Sequence, residues 1–466
     1  MTKTGFSAGI WRRRDVLGLI GAAALGPVRP GMAATPRRLT ARRATARLAP
    51  QDMPVTAVWG YDGTVPGPAL RVPQGGRVTL DFVNELDQPS TVHWHGIRID
   101  NAMDGVPGLT QAPVAPGETF RYDFTVPDAG TYWYHPHNRT SEQLAHGLYG
   151  ALIVEEPEAP EADRDLPMLL DDWRLTDGAQ IDTASLGSFH DRAHAGRIGH
   201  WITVNGDGEA VEPVRRHERL RLRLCNTANA RIFELGLKGL TGWTIALDGQ
   251  PVPPEPIQRL TLGPAQRADL IVDVTAAEGE EAALAVIERD SAFAAVLFPI
   301  SGQVRNEPLP VPTPLAANPV QLPADMADAA RQILVMEGGA MGRMMGAKLE
   351  GQSLGPRDLA QRGMAWAMNG VAGMPDAPLV DVTRGRAVHL AIHNDTAWPH
   401  AMHIHGHHFQ RVNKGQAHGP LRDTVLMQRG ETAEVAFVAD NPGDWLVHCH
   451  MAEHADSGMM TWFRVR

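Results

Sequence analysis

Gly430-Glu-Thr-Ala-Glu-Val-Ala-Phe-Val-Ala-Asp-Asn-Pro-Gly443-Asp-Trp-Leu-Val-His448-Cys449-His450 aligns without a gap on Gly117-Glu-Thr-Phe-Arg-Tyr-Asp-Phe-Thr-Val-Pro-Asp-Ala-Gly130-Thr-Tyr-Trp-Tyr-His135-Pro136-His137. Working outward, Val83-Asn84 through His93-Trp-His95-Gly96 matches His393-Asn394 through His403-Ile-His405-Gly406. The first and last thirds are therefore copies of one module. A worn middle copy is visible. Arg221-Leu-Arg-Leu-Cys225-Asn226 parallels the run ending at Asn84, and Gly263-Pro-Ala-Gln-Arg-Ala-Asp-Leu-Ile-Val-Asp-Val274 parallels the run starting at Gly117. Where the outer copies carry paired histidines, the middle one offers Leu235 and Leu237. Short runs alternate polar and apolar residues at Arg77 to Asn84, Phe120 to Val126, Leu220 to Cys225 and Glu434 to Val438, and Gly and Pro punctuate them. That pattern predicts an all-β chain of three consecutive Greek-key β-sandwich domains. Pro-rich linkers at about 155–167 and 304–323 give domains at 35–158, 165–305 and 325–466.

Ten of the twenty histidines fall into four groups: His93/His95, His135/His137, His400/His403/His405 and His448/His450/His454. Histidines at i and i+2 on a strand present both imidazoles on one face, as a shared metal cluster requires. Cys449 lies between two of them, so on an extended strand it points the other way from His448 and His450. Cys449, nearby histidines and Met459 form the soft donor set of a blue-copper electron-transfer centre. The last segment thus predicts one copper wired to a second metal cluster. Opposite Cys449, domain 1 carries Pro136, so only the last domain places a thiolate in its copy of the module.

The chain has 466 residues, 43% apolar and 21% charged, with a net charge of −10, which suits a globular protein and argues against nucleic acid or an anionic membrane as partner. With Cys449 given to metal, the one other cysteine, Cys225, has no disulfide partner and reads as a buried thiol. Arg12-Arg13-Arg14-Asp15, the apolar run Val16 to Leu25 and the small residues ending at Ala33-Ala34 resemble a twin-arginine export signal over residues 1–34. The run is too short to anchor the chain in a bilayer. The expectation is a bacterial periplasmic or secreted protein, exported folded by the twin-arginine translocase and free of a membrane anchor after cleavage.

The four histidine motifs, with His-Cys-His-Met-Ala-Glu-His454-Ala-Asp-Ser-Gly-Met459 closing the chain, resemble the multicopper oxidase family, which includes laccases, ascorbate oxidases and copper-efflux oxidases. The resemblance runs from about residue 40 to the end and implies cupredoxin-like domains and four copper ions. By it, His400, Cys449, His454 and axial Met459 hold a type 1 copper, the methionine suggesting a low-to-middling potential. His93 and His403 hold a type 2 copper, and His95, His135, His137, His405, His448 and His450 hold a type 3 pair. The implied activity is oxidation of small donors, phenolic or aromatic as in laccases, at the type 1 site, with reduction of O2 to water at the trinuclear cluster. Asp104 matches the family's proton-relaying acid. The place of a second family acid is Ala455, with Glu453 or Asp456 as candidate substitutes. The alternative activity is oxidation of Cu(I) in copper tolerance. Met336, Met341, Met344, Met345, Met364, Met368 and Met374 favour it, while the absence of Asp and Met from Thr396-Ala-Trp398-Pro399 disfavours it. Trp398 is a candidate lining of the electron entry. A copper-free scaffold is disfavoured by the complete His/Cys set, and a two-domain copper nitrite reductase by the His-Cys-His arrangement.

Overall fold

The computed structural model describes residues 36–323 and 326–466, so the twin-arginine segment lies outside the described residues. Residues Arg37–Arg466 form one compact unit of strands and a few short helices. It comprises three cupredoxin-like sandwiches, whose strands fall between Arg37 and Glu155, Arg164 and Gln303, and Ala330 and Val465.

Each sandwich is built on the same three strands. Arg77–Asn84 lies parallel to Arg37–Ala46 and antiparallel to Thr119–Thr125. Arg219–Asn226 is held likewise between Arg164–Trp173 and Arg267–Val274, and Ala387–Asn394 between Ala330–Gly338 and Thr432–Val438. All four runs with alternating polarity are strands: Arg77–Asn84 matches its pattern at both ends, Thr119–Thr125 is shifted by one residue toward the N-terminus, Arg219–Asn226 is one residue longer at each end, and Thr432–Val438 begins two residues earlier.

The middle strand of each trio ends in a fully buried asparagine. The amides of Asn84, Asn226 and Asn394 donate to Val114, Leu262 and Gln428 carbonyls at 2.8–2.9 Å. Their side-chain oxygens accept from the backbone N–H two residues on, at 3.1 Å each. A side chain that satisfies both partners of a turning backbone fixes that turn. In the outer domains this turn leads to the strand that carries the first of the clustered histidines, His93–His95 or His400–Ile404.

The strand Arg219–Asn226 is buried on both faces. Leu220, Leu222 and Leu224 fill the domain 2 core. Arg219, Arg221 and Arg223 face domain 1 and the linkers and are paired with Asp273, Asp269 and Asp165 at 2.6–2.7 Å. Cys225 continues this face, free and buried among Trp133, Leu144 and Trp173 in the cluster joining domains 1 and 2. The 304–323 linker is strapped down: Asn318 donates to Ala129 O at 2.8 Å, and Arg98 donates to Pro319 O at 3.1 Å.

Candidate metal centres

Two donor sets form, one on each side of the strand Gly443–Cys449. On one side, the ligand atoms of His400, Cys449 and His454 converge within 4.8 Å of one another, all buried. Cys449 Sγ lies 3.5 Å from His400 Nδ1 and 3.7 Å from His454 Nδ1, and the two Nδ1 atoms are 3.1 Å apart. The opposite ring nitrogens settle which atom is bare. His454 Nε2–H donates to the His194 carbonyl at 2.8 Å. The Thr396 hydroxyl donates to Asn394 Oδ1 at 2.7 Å and so accepts from His400 Nε2–H at 2.8 Å. Both Nδ1 atoms therefore aim lone pairs into one dry space with a sulfur, an arrangement that calls for a cation. Burial pushes the Cys449 thiol up to about 12 and holds His454 down to about 4, so a thiolate here needs a compensating positive charge. Met459 is fully buried beside Cys449, its carbonyl accepting from Cys449 N–H at 3.1 Å. Trp366 closes the site, with its ring 5.0 Å from His400 and 4.5 Å from His454.

On the other side, eight histidines meet, four from domain 1 and four from domain 3. Antiparallel pairing sets His93 opposite His135 and His403 opposite His448. His448 Nε2 lies 3.1 Å from His405 Nε2 and 3.3 Å from His137 Nε2. His450 Nε2 lies 3.3 Å from His135 Nε2. The groupings are His137/His405/His448, His95/His135/His450 and His93/His95/His403. His450 Nδ1 is buried with no hydrogen-bond partner, and so are three further ring nitrogens, His93 Nε2, His95 Nδ1 and His403 Nε2. The other nitrogen of each of these last three rings is engaged: His93 with Asp104 O at 2.8 Å, His403 with Asp423 O at 2.9 Å, and His95 with the Asp423 carboxylate at 3.3 Å. Burial, then the neighbouring imidazoles, holds His135, His405, His448 and His450 well below the ordinary histidine range. Neutral rings with bare nitrogens are what metal coordination needs. The donor chemistry fits copper on both sides: soft sulfur with imidazole in the first set, imidazole alone in the second.

Profiles described as multicopper oxidase match residues 43–159, 164–286 and 352–466. Multicopper oxidase MmcO of Mycobacterium tuberculosis is 31% identical, over 90% of this chain and 86% of its own. The chain belongs to the multicopper oxidases. Laccase-1 of Botryotinia fuckeliana is 30% identical over 86% of this chain and 77% of its own. The crystal structure of a multi-copper oxidase from Pseudomonas Thermotolerans superposes with a TM-score of 0.80 at 32% identity, covering 93% of this chain and 99% of that one. Membership makes this chain a copper-dependent oxidoreductase.

Around the histidine centre of this multicopper oxidase, Asp104 is buried, with Oδ2 2.8 Å from His405 Nδ1 and Oδ1 3.2 Å from His93 Nδ1. It also caps the short helical turn Asn101–Met103 just before Gly105. The suggested substitutes for the second acid are corrected. The Glu453 carboxylate accepts from Arg197 N–H at 3.0 Å and Asn229 Nδ2 at 2.7 Å, and Asp456 accepts from Ser141 N–H at 2.9 Å. Both clamp the Ala452–Asp456 helix, which carries His454, to the other two domains. The second carboxylate at the histidines is Asp423. Burial alone would raise it, but the Arg267 guanidinium and the His403 and His95 rings hold it well below the usual range. It lies 20 residues from His403 and 328 from His95, and no local spacing marks it. Ser90, the domain 1 counterpart of His400, makes an ordinary contact, its Oγ donating to Gln143 Oε1 at 2.7 Å.

Proposed function

We propose that this chain couples one-electron oxidation of small phenolic or aromatic donors to four-electron reduction of O2 to water. His400, Cys449, His454 and Met459 would hold a type 1 copper, His93 and His403 a type 2 copper, and the sets His95/His135/His450 and His137/His405/His448 a type 3 pair. When bound, the coppers supply one-electron acceptance at the first site and multi-electron delivery to O2 at the second. The observation that carries the reading is the placement of Cys449. Its sulfur belongs to the first donor set, and its covalent neighbours His448 and His450 belong to the second. The backbone on either side of Cys449 is thus a short covalent path for electrons.

The chain's residues divide the remaining work. Trp366 and the fully buried rings exclude water from the first set. The Asp104 carboxylate aligns His405 and His93 and is the acid placed to hand on protons, four of which water formation consumes.

The donor would approach beside His194, whose carbonyl caps His454. A cavity of about 340 Å³ opens there, lined by His190, His194, Ala340 and Met364. Trp398 borders it, bonded to Ala340 O at 3.0 Å and edge-on to His194. A second reading, oxidation of Cu(I), draws support from the same loop, where Met341 and Met345 are 77% and 88% exposed. Apolar side chains so exposed have no packing role, and thioethers suit Cu(I). Oxygen uptake with 2,6-dimethoxyphenol and with Cu(I), each with and without added Cu(II), separates the two. Phenol oxidation that requires excess copper would favour the cuprous reading, and a colourless copper-loaded protein would sink both.

The twin-arginine segment supports export and work in the periplasm or medium. No helix among the described residues is long and apolar enough to cross a membrane. Replacing Arg12–Arg14 by lysine should leave the protein in the cytoplasmic fraction.

A further inference from the structure

Arg267 opens the strand Arg267–Val274 of the middle domain, which supplies none of the converging histidines. Its side chain is fully buried. Nη1 donates to Asp423 Oδ1 at 2.9 Å and Nη2 to Asp423 Oδ2 at 2.5 Å, a two-pronged pair with domain 3. Nε donates to Thr131 O of domain 1 at 3.2 Å, and the guanidinium lies 5.9 Å from the Tyr132 ring. Asp423 in turn touches two of the eight histidines, His95 through its carboxylate and His403 through its backbone carbonyl.

The space is built for this pair. A Cβ on Gly96 would fall 2.3 Å from Arg267 Nη2 and 2.4 Å from Asp423 Oδ2. The glycine after His95 thus leaves room for a domain 2 arginine, and its φ of +85° suits no other residue well.

We propose that Arg267 is a positioning residue of the histidine cluster, holding Asp423 so that His95 of domain 1 and His403 of domain 3 keep their bare nitrogens in register. The planar guanidinium fixes both carboxylate oxygens at once, which a point charge does not. Without it, the buried carboxylate loses the donors that fix both of its oxygens and turns, and both rings lose their alignment. The middle domain has thus given up ligands but not its part in the site.

The inference rests on the copper reading above, and the test separates the two. Full-length, copper-loaded Arg267→Gln and Arg267→Lys are compared with wild type and with Arg219→Gln. Arg219 is an equally buried domain 2 arginine, paired with Asp273 at 2.7 Å, whose hydrogen bonds reach no histidine. The readouts are copper per chain, the band near 600 nm and its anaerobic bleaching by a phenol, the type 2 electron paramagnetic resonance signal, and oxygen turnover. Arg267→Gln is expected to keep the blue band and to bleach within about twofold of wild type. Its type 2 signal should be shifted or lost, and oxygen turnover should fall about tenfold or more. Arg267→Lys should fall between the two, and Arg219→Gln should keep the wild-type signal. If Arg267→Gln does not fold, Arg267→Lys decides. A wild-type type 2 signal and turnover in the folded Arg267 variants, or the same signal change in Arg219→Gln, overturns the proposal. A wild-type protein that never turns blue overturns the copper reading instead.

Discussion

Stripped of copper, the protein should be acid-labile well above the pH where carboxylates titrate. His137 is held down to about 3 and His454 to about 4, in both cases first by burial. His95, His135, His400, His405, His448 and His450 are also well below the ordinary value, burial again leading. A group whose folded value is depressed contributes stability that is whole above its unfolded value, near 6.5. That stability is lost as pH falls toward the folded value. At pH 5.5 each ring that must stay neutral in the fold costs about 1.4 kcal/mol relative to the unfolded chain. Eight such rings total about 11 kcal/mol, comparable with the whole stability of an ordinary domain. Calorimetry of chelator-stripped and copper-reloaded protein at pH 7.5, 6.5 and 5.5 reads this directly. The stripped form should lose on the order of 10 °C in Tm over that span. The reloaded form should lose far less, because protons must then displace metal. A stripped protein whose Tm stays flat within a few degrees would show that these rings are not held neutral by the fold, and the packing described for both centres would be wrong.

Cys449→Ser should abolish the band near 600 nm and phenol turnover while about three coppers per chain remain by metal analysis; retained phenol oxidation would refute the path through Cys449. Asp104→Asn keeps an amide where the carboxylate meets His405 and His93 but cannot relay protons. Oxygen turnover should fall about a hundredfold, with the blue band and its anaerobic bleaching unchanged. Glu453→Ala strands the Arg197 N–H and the Asn229 amide in a buried seam and should cost about 1–3 kcal/mol, read as a lower Tm of the copper-free chain.

The two outer domains and their converging histidines are legible in the sequence because the pattern is local. An i, i+2 histidine pair on a strand is read from adjacent residues, and the duplicated turn asparagines keep the copies in register. The surroundings of the ligands are not local. Asp423 meets His95 across 328 residues, Arg267 meets Asp423 across 156, and the His194 carbonyl meets His454 across 260. Nearness in sequence nominated Glu453 and Asp456, yet a five-residue helix turns both carboxylates toward other domains. The alternating run at Arg219 to Asn226 misleads for the same reason. Its period gives a strand but not that the charged face is dry, since the carboxylates neutralising it come from scattered positions. These contacts share a logic. Each outer domain holds only half of the histidine cluster, so some element must fix one half against the other. The middle domain carries Leu235 and Leu237 where the outer copies carry paired histidines. With leucines packed there instead, it is free to serve as the clamp, through Arg267 at the cluster and through Asn229 and Arg197 at the helix carrying His454.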